Sequence, residues 1–314
     1  MSTRDFVARE ALVCPPTYTP LPVVLCKGKG VWLWDIEGKK YLDMMTAYSA
    51  VSFGHGHPRL LKAMNHQAQK LSMVSRAFYT DQLAPLLEKA CAFSGFEMAI
   101  PMNTGAEAVE TAIKVARRWG YETKGIPSDQ AEIIVAENNF HGRTTTIISF
   151  STEREYKRDF GPLTPGFKAI PFGNAKALEE AITSNTCAFL VEPIQGEAGI
   201  IVPPKGWLKE VRRICTEKNV LLLLDEVQSG LGRTGKMFAF QHELVQPDGL
   251  ILGKALGGGI LPISLFLSKR EILSLMTPGS HGSTFGGNPL ACAVAYEALS
   301  LLEEEHLDQR SAEL

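Results

Sequence analysis

The sequence lacks most of the marks that would assign it at a glance. No apolar run approaches the ~18 residues of a membrane span; the longest clear one is Val220–Leu224. Neither sign of charge dominates: 32 Lys and Arg stand against 34 Asp and Glu, a net charge of −2. That balance gives no reason to expect nucleic acid or an anionic membrane as partner. The six cysteines (14, 26, 91, 187, 215 and 292) include no Cys-x-x-Cys pair, so they read as reduced thiols and no metal site is expected from them. His55 and His57 stand two apart, but no third ligand accompanies them. The N-terminal MSTRDFVAREALVC has no apolar core, and Asp5 and Glu10 are foreign to a transit peptide, so a cytoplasmic location is expected. The P-loop pattern GxxxxGK[ST] is missing, as is any internal repeat.

What is present is an ordinary globular composition, 45% hydrophobic and 21% charged over 314 residues. Such a length suits one large domain or two modest ones. Residues 1–50 read as an irregular lead-in, because Cys14–Pro22 is too proline-rich for a helix or a central strand. Gly30–Asp35 and Lys40–Asp43 flank Glu37-Gly38 as a hairpin. Helical stretches follow at about 57–71 and 81–91, and from residue 98 the pattern turns α/β. Strands are expected at Met98–Met102, Glu132–Glu137, Ala188–Val191, Val220–Leu224 and Gly249–Leu252, with a β-rich run at Ile147–Ser151. Helices are expected after Asn103, over Trp207–Lys218, and from Leu290 to about Glu304.

Three features carry chemistry. Thr104-Gly105 opens a helix in which Ala106, Val109, Ile113 and Ala116 recur at helical spacing. Free N–H groups and the helix dipole favour an anion there, although an ordinary Asn/Thr cap gives the same pattern. Asp225 leaves an unbroken apolar run suited to a strand buried on both faces. It therefore sits at the strand end where open α/β sheets place ligands. Lys254 leaves the next apolar run in the same way and enters Gly257-Gly-Gly259. An amine held among apolar neighbours loses its charge readily, as a Schiff-base lysine must. Pyridoxal 5′-phosphate (PLP) needs all three: N–H donors for its phosphate, a carboxylate for its ring nitrogen and a lysine for its aldehyde. Phe140 is placed to cover the ring face.

Six segments in order, Asn103-Thr-Gly-Ala-Glu-Ala, Phe140-His-Gly-Arg-Thr, Glu192-Pro-Ile-Gln-Gly-Glu, Asp225-Glu-Val-Gln-Ser-Gly, Gly253-Lys-Ala-Leu-Gly-Gly-Gly and His281-Gly-Ser-Thr-Phe-Gly-Gly-Asn-Pro, closely resemble the class-III (ω-) aminotransferases of PLP fold type I. Within them the chain is most similar to the ornithine-using branch, through Thr17-Tyr-Thr-Pro-Leu-Pro-Val and Ala47-Tyr-Ser-Ala-Val. His141 stands where some ornithine enzymes carry tryptophan.

The resemblance implies an α/β fold with a mainly parallel central sheet, helices on both faces and a partial small domain. Residues 1–50 would contribute to the small domain, 51–288 would form the large PLP-binding domain, and 289–314 would be a connecting helix. The family continues beyond the position of Leu314, which implies a truncated or partial chain. Lys254 would bind the cofactor aldehyde and move the proton, Asp225 would hold the pyridinium, and Gln228 would bond the ring hydroxyl. Thr104, Gly105 and Ala106 would receive the phosphate, with Thr284 reaching in from a second subunit of a homodimer. Phe140 would stack on the ring. Tyr18 and Arg143 would grip the α-carboxylate end of ornithine, and Tyr48 would line that pocket. Glu197 would pair with an arginine that receives the 2-oxo acid. The implied reaction passes the δ-amine of ornithine to 2-oxoglutarate. The alternatives are an acetylornithine or 4-aminobutyrate donor, or a truncated, non-catalytic PLP-binding relative.

Overall fold

The apolar runs form the middle of one sheet. A computed structural model describes residues 1–314. Near the N-terminus, β1 (Leu25–Lys29), β2 (Trp32–Asp35) and β3 (Lys40–Leu42) make a small antiparallel sheet. The expected hairpin is β2–β3, pairing Trp32 with Leu42 and Trp34 with Lys40. β1 gave no signal because it is exposed along its whole length and has no alternation to read.

The main sheet comprises β4 (Met98–Met102), β5 (Glu132–Ala136), β6 (Phe167–Ile170), β7 (Thr186–Val191), β8 (Leu221–Asp225), β9 (Gly249–Leu252) and β10 (Ser264–Ser268). Their spatial order is β4-β10-β9-β8-β7-β5-β6. From β9 to β6 the neighbours are parallel, and only β10 runs against the rest. Every residue of β7, β8, β9 and β10 is buried, as continuous apolar strands of a two-sided sheet must be. Leu221, Leu223 and Ile251 face the helix Gly105–Glu122, which buries Ala108, Val109, Ala112 and Ile113 against them. Leu222, Leu224 and Leu250 face the helices Trp207–Glu217 and Pro289–Glu304 through Val211, Ile214, Ala295 and Leu299. Helices thus cover both faces.

Two expectations fail: the lead-in holds a helix at Thr3–Ala11, capped by Ser2 with Asp5, and a strand-like run forms no strand. The run Ile147–Ser151, expected to be β-rich, is the end of a short helix, Thr145–Ser149. Its β-branched composition favours a strand, but Thr144 Oγ1 accepts the Ile147 N–H at 3.2 Å and caps a helical turn. Ile147 and Phe150 then enter the core beside the long helix. β6 and β10 were not foreseen. β6 is a half-exposed edge strand, and β10 begins and ends in serine. No helix is long and apolar enough to cross a membrane.

Candidate active site

Parallel pairing of β8 with β9 sets Asp225 opposite Ile251, so Asp225 and Lys254 emerge from the same sheet edge. They meet in a cavity of about 180 Å³. Of the expected residues it gathers Gly105, Ala106, Phe140, Glu197, Asp225, Gln228 and Lys254, and it adds His141, Gly142, Glu192, Ile194, Val227 and Ser229.

Lys254 takes a left-handed backbone, φ 43°. For a residue with a Cβ this costs about 1–2 kcal/mol, and the glycines around it let the chain make that turn. Burial lowers the pKa of its amine, against the opposing pull of Glu197, Asp225 and Glu192. Glu197 Oε1 stands 3.9 Å from Lys254 Nζ and accepts a hydrogen bond from Gln228 Nε2 at 2.9 Å.

Asp225 is buried, and its two oxygens have separate partners. Oδ1 accepts the Val227 N–H at 3.0 Å, and Oδ2 lies 2.7 Å from His141 Nδ1. A carboxylate acceptor places the proton on Nδ1. Burial works against a charge on His141, yet its bond to Asp225 and the charges of Asp225 and Glu192 prevail and raise its pKa. Glu192 directly follows β7, much as Asp225 closes β8, and burial pushes its carboxyl up to about 7.

The helix start is arranged for an anion. Thr104 is the N-cap: its hydroxyl accepts the Glu107 N–H at 3.2 Å, while Glu107 Oε2 accepts the N–H groups of Thr104 and Asn103 at 2.7 and 3.0 Å. Beyond this reciprocal box, Gly105 and Ala106 open the helix with first-turn N–H groups that lack an intrahelical acceptor, and both residues line the cavity. Thr104 itself is exposed and lies outside the lining. Tyr18, Tyr48, Arg143 and Thr284 are also exposed and outside it. The Arg143 guanidinium stacks 3.5 Å from the Tyr156 ring centre, on the wall that Phe140 shares.

Sequence reasoning missed His141 and Glu192. Glu192 had a usable signal, since it is a carboxylate following a strand in the manner of Asp225. His141 had none, because its partner lies 84 positions away.

The residues present fit PLP. The cavity offers peptide N–H groups at a helix start, a buried carboxylate and a desolvated amine, the three chemistries that the molecule requires. Close packing in the cradle depends on glycine: a Cβ on Gly142 would stand 2.8 Å from Ala106 Cβ, and one on Gly105 would stand 3.1 Å from Val227 Cγ1. Buried Ser229 Oγ and His141 Nε2 have no partner within the chain.

Comparison with known proteins agrees. Ornithine aminotransferase of Halalkalibacterium halodurans is 61% identical over 312 residues, covering 99% of this chain and 78% of that protein. The crystal structure of ornithine aminotransferase from Toxoplasma gondii superimposes with a TM-score of 0.97 at 47% identity, over 99% of this chain and 74% of that one. Acetylornithine aminotransferase from Elizabethkingia anophelis gives 0.89 at 53% identity, over 98% of this chain and 76% of that one. Residues 13–314 match the family described as aminotransferase class-III. With the lysine, the carboxylate and the anion-binding helix start converging as PLP requires, the chain belongs to the class-III aminotransferases and uses PLP.

Proposed function

We propose that this chain transfers the δ-amino group of L-ornithine to 2-oxoglutarate, giving glutamate 5-semialdehyde and glutamate. The observation that carries the chemistry is the emergence of Asp225 and Lys254 from adjacent parallel strands into one cavity. The donor rests on the likeness to proteins named ornithine aminotransferase, 54–61% identical, and on Tyr18 within Thr17–Val23.

When bound, PLP supplies an aldehyde that captures amines and a ring that withdraws electrons from the amine-bearing carbon. Lys254 would hold that aldehyde, and its amine would take and return the proton at the substrate carbon. Its lowered pKa suits both tasks. Asp225 would face the ring nitrogen, its carboxyl group held in place by His141 and the Val227 N–H. Gly105 and Ala106 would receive the phosphate, Phe140 would cover the ring, and Gln228 would bond the ring hydroxyl. Tyr18, Tyr48 and Arg143 bind the α-carboxylate end of ornithine so that the δ-amine leads. Glu197 holds its position between Gln228 and Lys254 until the oxo acid arrives. Thr284, exposed and outside the lining of this chain's cavity, serves the phosphate of a second subunit. Exposed Leu12, Leu21, Met44, Tyr79 and Phe285 support burial against such a copy.

The test is the visible absorption of the PLP-loaded chain on adding amine donors. Bleaching by L-ornithine, but not by N-acetylornithine or 4-aminobutyrate, is the expected result. Preference for N-acetylornithine would transfer the assignment to the activity named for the Elizabethkingia protein. Tyr18→Phe should raise KM for ornithine roughly 10-fold, the loss of one hydrogen bond to a charged group; an unchanged KM removes Tyr18 from the donor site.

A further inference from the structure

Glu192 lines the cavity, is only 6% exposed, and has no part in the chemistry just described. Its two oxygens reach into two different walls. Oε2 accepts the Phe140 N–H at 3.0 Å, from the loop that follows β5. Oε1 accepts the Gly196 N–H at a longer 3.5 Å, from the loop that carries Glu197. Gln195 Nε2 donates to Glu137 O at 2.7 Å and ties the same two loops a second time.

We infer that Glu192 is a positioning residue for the amine chemistry at Lys254: one buried carboxylate that fixes the ring-covering wall at Phe140 to the substrate-side loop at Gly196–Glu197. The inference rests on the PLP and amine-donor reading of this cavity.

A carboxylate is needed because the two N–H groups come from separate loops and require two acceptor oxygens, whereas an amide offers one. The groups facing Glu192 are His141 from the loop after β5, Asp225 from the end of β8, Lys254 beyond β9, and Glu197 within its own loop. The negative charge of Glu192 supports the cationic forms of both His141 and Lys254. A neutral substitute therefore loosens a wall and makes the Lys254 amine easier to deprotonate.

Two variants and two kinds of reading test this. Glu192→Gln keeps shape and one acceptor, and Glu192→Ala keeps neither. In the PLP-loaded chain, kcat should fall roughly 10- to 100-fold in Glu192→Gln, with KM for the amine donor nearly unchanged. In the cofactor-free chain, the pH midpoint for trinitrophenylation of Lys254, read by peptide mass spectrometry, should fall by about 0.5 to 1 unit. Hydrogen exchange at the Phe140 or Gly196 amide should speed up in the same variant. Should Glu192→Ala fail to fold, the isosteric Glu192→Gln still gives all three readings. A Lys254 midpoint and amide exchange equal to wild type overturn the inference, as does a loss confined to thermal stability. The last two readings need no turnover, so a wrong donor assignment would leave them intact and would be seen separately in the ornithine test.

Discussion

His141 Nδ1 and Asp225 Oδ2 meet at 2.7 Å in the interior, the imidazole carried by the loop after β5 and the carboxylate by the end of β8. In the proposed function, the pair would decide how firmly the Asp225 carboxyl group is aimed at a ring nitrogen. His141→Asn keeps an N–H near Nδ1 without the charge, and His141→Phe keeps neither. We expect kcat to fall about 10-fold in His141→Asn and 10- to 100-fold in His141→Phe. The raised pKa of His141 fixes the sign of the pH effect. Its contribution to stability is fully present below the ordinary imidazole value and is lost as pH rises through the raised one. The deficit in Tm of either variant should therefore be largest at pH 5.5 and shrink by pH 9. A deficit independent of pH would make the pairing a matter of packing alone.

How much of this site could be read from residue order follows from how local each signal is. Val220–Leu224 and Gly249–Leu252 announce buried strands through unbroken apolar residues, and the next polar residues, Asp225 and Lys254, inherit a defined sheet edge. Thr104 announces its helix through a cap and Glu107 three residues on. By contrast, His141 acquires its role only when β5 and β8 have taken their places around β7. The run Ile147–Ser151 reads as β-rich because β-branched residues favour strands, while the Thr144 cap and the burial of Ile147 and Ile148 outweigh that preference. Tyr18, Tyr48 and Thr284 carry expectations from family resemblance that no local pattern could have supplied, and the single chain leaves them at the surface.

Gly196 and Gln228 form a second close relationship. A Cβ on Gly196 would stand 1.4 Å from Gln228 Oε1, so Gly196→Ala must displace the Gln228 amide. The amide is the end of a flexible side chain, and Gly196 has no left-handed φ to lose, so the fold should tolerate the change, with Tm shifting by only a few degrees. The function should not tolerate it as well. Gln228 would lose its hold on Glu197 and, with it, the ring contact proposed for it. Kd for PLP, measured by fluorescence titration, should rise about 10-fold. Affinity equal to wild type would show that Gln228 does not bind the ring.

Glu226 shows how burial alone can set a pH response. It is 1% exposed and accepts the Ala239 N–H at 2.7 Å and the Phe240 N–H at 2.9 Å. Burial, joined by the like charge of Asp225, nevertheless pushes its carboxyl up to about 7, against those two bonds. A carboxyl raised this far binds its proton more tightly in the folded chain than in the unfolded one. Its contribution to stability is therefore present below about pH 4.5 and lost as pH rises to about 7. Glu226→Gln mimics the protonated acid, offering one acceptor oxygen and no charge. Its Tm should match wild type near pH 5 and exceed it at pH 8.5, while Glu192, also raised to about 7, keeps part of the wild-type slope in place. Parallel Tm curves for the two proteins across that range would mean that Glu226 is ionised throughout, and that its two backbone N–H bonds outweigh the cost of burying its charge.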